Sequence, residues 1–422
     1  MRNTDHLPHV VVLGAGFAGA SALRALADAD VRVTVVDQHP YNTFRPLLYQ
    51  VATGGLNPGD ITYPLRTLSA HSHARYRRAR VTGIDHDQKR VLVDAGPPID
   101  YDYLIIGIGS TTNHFGVRGA AEHSMSMYTR ADALRVRDAI FGGLEKIAGQ
   151  STTGTGRFTI VVVGGGATGV EMAGAIAELK SAMLTPTFPE LNPSEVNVIL
   201  VEMTDALLLP FEMKLQRYAL HQLIKRGVDV RLGTAISSVG SDHVELKDGT
   251  TIPADLVIWA AGVAGYPEVA DWGLPLGKGG RIVVDSDLRI RGRDHEFAVG
   301  DGAIDPDHAV AQLAPPAIQM GSHAARQIVR LEHGESTEPF RYRDKGIMAT
   351  IGNKTAVVQL WNGTKITGVL AWVAWVALHL WYLLGGRNRV ETMINLVYRY
   401  VIWPSQTAAI VGDIHPTPRT DE

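Results

Sequence analysis

Two stretches of this chain, 150 residues apart, carry the same arrangement, and that repetition limits the possible folds more than any other feature. In the first, an apolar run from His9 to Leu13 passes directly into Gly14-Ala15-Gly16-Phe17-Ala18-Gly19 and then into a helical pattern reaching about Asp28. A second apolar run at 31–36 ends in Asp37, 23 residues after Gly14. A further run at 103–108, closed by Gly109 and Ser110, reads as a buried strand. The second stretch repeats this order: a strand at 158–163, then Gly164-Gly165-Gly166-Ala167-Thr168-Gly169, a helix through about Met183, a strand at 197–201 capped by Glu202, and a strand at 257–261 closed by Gly262. First and closing glycines are 95 residues apart in one copy and 98 in the other. Chance does not readily produce a duplication of such equal period. The expected fold is α/β, with two Rossmann-like dinucleotide-binding domains.

Each glycine turn has a physical purpose. The first glycine permits a sharp turn, the second lets backbone N–H groups approach a pyrophosphate, and the third packs helix on strand. Asp37 and Glu202 stand where a carboxylate binds a ribose 2′-OH and repels the 2′-phosphate of NADP. Met203, Thr204 and Asp205 follow Glu202 with no arginine to receive such a phosphate, so NADH is the expected reductant. The chain contains no cysteine, which excludes dithiol and persulfide chemistry, thiolate-bound iron–sulfur clusters and c-type haem. Electrons must therefore enter and leave through a cofactor. A net charge of −3 without a long basic run gives no reason to expect nucleic acid. Residues 1–9 lack an apolar signal-peptide core, so a cytoplasmic location is expected.

From Arg341 the character changes. Eight basic residues stand against Asp344 and Glu391 up to Trp403, and Trp361, Trp372, Trp375, Trp381 and Trp403 make five of the seven tryptophans. A 19-residue apolar run opens at Ile366 and closes at Leu384, interrupted by one ionisable residue, His379. By length it could span a bilayer. At helical spacing Trp372, Trp375, His379 and Tyr382 share a face, and the flanking Arg387 and Arg389 suit anionic headgroups. A buried core helix or a homodimer contact is the alternative. His71, His73 and His379 lack the partner residues of a metal site, and none is expected.

The sequence resembles the type II NADH:quinone oxidoreductases from about His9 to Tyr400. The resemblance rests on Phe44-Arg45-Pro46-Leu47-Leu48-Tyr49-Gln50-Val51-Ala52-Thr53-Gly54, on residues 164–174 with Glu171, on Ala298 to Asp301, on residues 344–352 and on Leu378-His379-Leu380. It implies FAD in the first copy, held by Gly14, Ala15, Gly16, Phe17 and Gly19, with Asp37 and Gln38 at the ribose, Asn42 to Leu47 near the flavin and Val81 at the adenine. Gly109, Asp301, Ala317 and Ile318 complete that set. It implies NADH on Gly164, Gly166, Thr168, Gly169, Glu202 and Gly262. Glu171, taken as lying in the first helical turn, would serve near the nicotinamide and in proton delivery; an acid complementing the helix dipole is the plainer alternative.

The family's Ala-Gln-x-Ala-x-Gln pattern at the quinone entrance is met at Ala314, Ala317 and Gln319, but Pro315 replaces the first glutamine. The implied order is residues 1–117 and 276–340 for FAD, 118–275 for NADH, and 341–422 as an in-plane membrane-anchoring region beside the entrance for menaquinone or ubiquinone. The rival readings are a soluble NADH-dependent ferredoxin or rubredoxin reductase and a non-catalytic flavin-binding redox sensor.

Overall fold

The structure is a computed structural model that describes residues 7–150 and 156–402. Its chain divides into two compact units. The first comprises Met1–Thr43, Tyr63–Thr111 and Val263–Lys345. At its centre is a five-stranded parallel sheet in the order Glu296–Ala298, Tyr103–Ile106, His9–Leu13, Arg32–Asp37, Arg75–Arg78. Val10, Val11, Val12 and Leu13 are wholly buried, which fits a central strand covered on both faces. The helix Phe17–Leu26 leaves the first glycine turn and packs along Ala314–Glu332. Gly321 makes that approach possible, since a Cβ there would lie 2.0 Å from the Ala18 carbonyl oxygen. A three-stranded antiparallel sheet, Val81–Asp85, Arg90–Val93 and Ile99–Asp100, completes this unit.

The second unit comprises Phe44–Thr62, Thr112–Gly262 and Gly346–Glu422. It repeats the parallel plan in the order Met125–Ser126, Leu256–Trp259, Phe158–Val163, Val196–Val201, Val228–Arg231. The long helix Ala167–Thr187 follows the second glycine turn and lies against the strand Ile347–Gly352. There a Cβ on Gly174 would meet the Ile351 carbonyl oxygen at 2.5 Å. That strand belongs to an antiparallel sheet with Thr355–Gln359 and Lys365–Thr367. The segment Phe44–Thr62 and the described C-terminal residues therefore pack with the 112–262 part of the chain, not as a separate tail.

The apolar run from Ile366 to Leu384 is not one helix. Ile366 is paired in the strand Lys365–Thr367, and the helix covers only Gly368–Tyr382. Fifteen residues at about 1.5 Å each are too short for a hydrocarbon core about 30 Å thick. No helix among the described residues is long and apolar enough to cross a membrane. The expected aromatic face also points inward. Trp375 is buried and stacks on His379 with centroids 3.8 Å apart, while Val369, Leu370, Val373 and Trp381 on the other side are exposed. After a turn at Gly385 comes the helix Gly386–Val397. Trp403 lies outside the described residues.

Candidate functional site

Both glycine turns have the geometry their spacing implies. Gly14 and Gly164 sit at φ of +86° and +109°, where a side chain would be strained and a Cβ would strike Gly107 and Ala260. Gly19 and Gly169 pack so closely that a Cβ would lie 1.9 and 1.8 Å from the carbonyl oxygens of Gly14 and Gly164. Gly16 and Gly166 differ, since a Cβ on either meets nothing within 4 Å. These are the open positions, each the N-cap of its helix, where the first backbone N–H groups have no intrahelical partner. The fit for a dinucleotide phosphate thus rests on space as well as on motif. Thr168 is exposed at the mouth of the second turn, whereas Phe17 and Ala15 at the first are covered to different degrees.

The two carboxylates at the strand ends are held alike. One Asp37 oxygen accepts from the Ala15 N–H at 2.8 Å and the other from the His39 N–H at 2.8 Å. Glu202 accepts from the Gly165 N–H with one oxygen and from the N–H and hydroxyl of Thr204 with the other. Each acid is fixed against its own glycine turn. Asn42 donates to the Ala15 carbonyl at 2.6 Å, bracing the same turn. Asp301, in the turn Gly300–Gly302, accepts from the Ser110 hydroxyl at 3.3 Å, and Gln312 donates to its carbonyl at 3.0 Å. Gly109 and Gly262 have φ of +79° and +147°. Gln38 is exposed, Val81 and Ile318 are half-buried, and Leu47 and Ala317 are buried in their respective units.

Glu171 is the fifth residue of its helix, not in the first turn, so the dipole of the helix N-terminus does not explain it. It is buried, and it accepts a hydrogen bond from the Thr350 N–H at 3.2 Å, with the Thr350 hydroxyl as a second donor neighbour. Burial pushes its carboxyl up to about 8, with the hydrogen bonds from Thr350 pulling the other way. A carboxyl so placed holds a proton at neutral pH and can release it. Gln319 has a different engagement from the one expected. Its amide donates to the Arg343 carbonyl and accepts from the Arg343 N–H, both at 3.0 Å. Both ends are thereby committed to the backbone, beside an open groove of about 890 Å³ edged by Arg326, Arg341 and Lys345.

Four residues that the sequence gave no polar role complete the site in the second unit. Tyr49, Gln50, Thr350 and Arg399 are all at most 5% exposed and joined by hydrogen bonds. A glutamine within the apolar stretch 47–52 was the available signal. The histidines are local. His71 bonds its own helix at the Thr67 carbonyl, His73 has no such bond, and burial lowers His379 to about 4, with a bond to the Trp375 carbonyl pulling back.

The fold and its two cradles define a dinucleotide-dependent oxidoreductase, and residues 8–321 match the model of the pyridine nucleotide-disulphide oxidoreductase family. Two curated type II NADH:quinone oxidoreductases of Mycobacterium tuberculosis, NdhA and Ndh, are 37% and 35% identical over 404 residues. Those matches cover 91% and 92% of this chain and 85% and 86% of the relatives. This chain belongs to the type II NADH:quinone oxidoreductase family. Its fold also matches the structure of NDH2 from Plasmodium falciparum in complex with NADH, at a TM-score of 0.86 and 18% identity over 94% of this chain and 99% of that one. The sulfide:quinone oxidoreductase of Aquifex aeolicus has the same fold at a TM-score of 0.74 and 20% identity, over 92% of both chains.

Proposed function

We propose that this chain is an FAD-dependent enzyme that oxidises NADH and reduces a membrane quinone, working peripherally at the cytoplasmic face of the membrane. The observation that carries the reading is the pair of open glycine cradles, each with its own backbone-anchored acid. When bound, FAD supplies the two-electron chemistry, accepting hydride from the nicotinamide and passing electrons on.

The protein's own residues bind and orient. Gly14, Gly16 and Gly19 with Asp37 hold the flavin nucleotide, Asp301 reaches its polyol chain, and Val81 meets the adenine through its backbone. Gly164, Gly166, Thr168 and Gly169 with Glu202 receive NADH, and the acid disfavours NADPH. Glu171 carries a proton beside that cradle. Gln319 is better read as a strut for the Arg343 backbone than as a group that touches quinone.

The two C-terminal helices support membrane attachment because each presents apolar side chains outward. In Gly386–Val397 Leu396 is buried, but three polar side chains also face inward: Asn388 donates to the Thr62 carbonyl at 2.6 Å, Thr392 to the Asp60 carbonyl at 3.3 Å and Asn395 to the Asp60 carboxylate at 2.7 Å. Val390, Met393, Ile394 and Val397 are left exposed. An apolar face presented outward on two successive helices suits an in-plane anchor. Arg389 lies over the exposed Trp381 ring at 5.9 Å, and Arg387 pairs with Glu391 at 2.7 Å. A second copy of the chain on this face, giving a homodimer, is the competing occupant.

The direct test is to purify the protein, record the flavin spectrum, and follow NADH oxidation with a short-chain quinone and, separately, ferredoxin. Flavin bleached by NADH and recoloured by quinone is the expected result. A colourless protein that flavin cannot reconstitute overturns the reading, and reoxidation by ferredoxin alone replaces the acceptor.

A further inference from the structure

The second unit buries a polar chain whose hydrogen-bond directions can be worked out. Arg399 donates to the Gln50 side chain at 2.6 Å, and because a guanidinium only donates, the atom facing it is the amide oxygen. The Gln50 NH₂ is therefore turned to the two tyrosines, donating to the Tyr49 oxygen at 2.9 Å and to the Tyr400 oxygen at 2.8 Å. Arg399 is itself held within 3.8 Å of Glu178. The Tyr49 oxygen also accepts from the Thr350 hydroxyl at 3.0 Å. With two donors on its oxygen, Tyr49 keeps its own O–H proton, and no acceptor for that proton exists among the described residues. A buried phenol with an unspent donor is a place for a ligand oxygen. Its ring stands edge-on to Trp375 of the outward-apolar helix, centroids 6.1 Å apart.

We propose that Tyr49 is the proton donor to the quinone oxygen, and that Thr350 and Glu171 stand behind it as its relay. The inference rests on the function proposed above. Reduction of a quinone by NADH takes up one proton beyond the hydride: NADH + H⁺ + quinone gives NAD⁺ + quinol. As the two electrons and the hydrogen of the hydride reach the quinone, the Tyr49 O–H bond breaks and its proton forms the second O–H bond of the quinol. The Thr350 hydroxyl proton moves to the Tyr49 oxygen, the Glu171 carboxylic proton moves to the Thr350 oxygen, and solvent reprotonates Glu171. Burial supports both ends of this chain, keeping the Glu171 carboxyl protonated and lifting the Tyr49 phenol well above its usual range. Tyr400 also has an unspent O–H, but only the Gln50 amide joins it to Tyr49, and an amide passes protons poorly.

The test uses the purified FAD-containing enzyme with NADH and two acceptors, a short-chain ubiquinone that takes protons and ferricyanide that takes only electrons. In Tyr49→Phe and Thr350→Val the ratio of quinone to ferricyanide turnover should fall at least about tenfold, the lower range for loss of a general acid, while Tyr400→Phe keeps the wild-type ratio. Independently of turnover, infrared titration of the Glu171 carbonyl in ¹³C-glutamate-labelled protein should show its midpoint moved up in Thr350→Val, which removes the hydroxyl that lowers Glu171 and keeps the backbone N–H bond. A wild-type ratio in Tyr49→Phe overturns the relay. A wild-type enzyme inert to quinone but active with ferricyanide overturns the quinone reading itself, so the two failures are distinguishable. Thr350→Val is close in shape to threonine and gives the answer even where Tyr49→Phe melts early.

Discussion

Gly166 and Gly169 stand three residues apart and serve opposite ends. A side chain at 166 meets open space, whereas one at 169 meets the Gly164 carbonyl at 1.8 Å. Gly166→Val is expected to keep the melting temperature within a few degrees of wild type and to raise the KM for NADH at least tenfold, by filling the room a phosphate needs. Gly169→Ala is expected to cost about 1–3 kcal/mol of stability through a forced backbone shift. Equal melting temperatures in the two variants would contradict this division. Sequence alone located both glycines because the motif's spacing encodes their packing. It placed Glu171 beside the cradle but could not supply its environment, which Thr350 provides from 179 residues away.

For Glu171 the sign of the pH effect follows from burial. Its carboxyl lies at about 8 in the folded chain against the usual 4.5, so its contribution is fully present below about pH 4.5 and is lost as pH rises toward 8. The slope from this one group is about 1.4 kcal/mol per pH unit across that window. Glu171→Gln, which cannot ionise, should gain on wild type in melting temperature between pH 5 and pH 8 while its turnover falls. A constant gap across that range would mean the carboxyl is already ionised at pH 5.

Among the elements, the helix Gly386–Val397 departs furthest from what its sequence suggests. Asn388, Thr392 and Asn395 recur at helical spacing and read as a solvated stripe, yet Asn388 and Thr392 are buried and all three bond the 57–62 loop. Polarity normally faces outward, so only the partner loop reveals which side is inside. Asp60 is 5% exposed, and burial raises its carboxyl while the bonds from Asn395 and Asn57 lower it. Replacing Asn395 by Leu should leave this carboxylate short of a donor and cost about 1–3 kcal/mol. Limited proteolysis should then cut within 386–397 sooner than in wild type, and an unchanged cleavage pattern would show that the apolar contacts alone hold the helix. The 19-residue apolar run was misleading for a related reason: composition does not mark where a strand ends, and Lys365–Thr367 pairs with Thr355–Gln359 before the helix begins.

For the whole molecule, the duplicated α/β plan was legible because parallel strands buried on both faces leave continuous apolar runs and glycine turns punctuate them. The allotment of Phe44–Thr62 to the second unit was not, since nothing local marks a segment whose partners lie 300 residues on. That allotment bears on membrane attachment, because Asp60 and Thr62 secure the helix whose outer face is apolar. Leu370 and Ile394 are 75% and 56% exposed, so a glutamate at either disturbs no core. Each leucine or isoleucine buried in an acyl layer contributes about 1.5–3 kcal/mol. Leu370→Glu combined with Ile394→Glu should therefore weaken binding to phosphatidylglycerol vesicles at least about a hundredfold, with the melting temperature nearly unchanged. Arg387 is already paired with Glu391, which leaves Arg389 as the cation of this helix for the lipid, so raising sodium chloride from 0.05 to 0.5 M should weaken wild-type binding only roughly threefold. If the double variant still floats with vesicles but sediments as a monomer where wild type is a dimer, the apolar face belongs to a second copy of the chain.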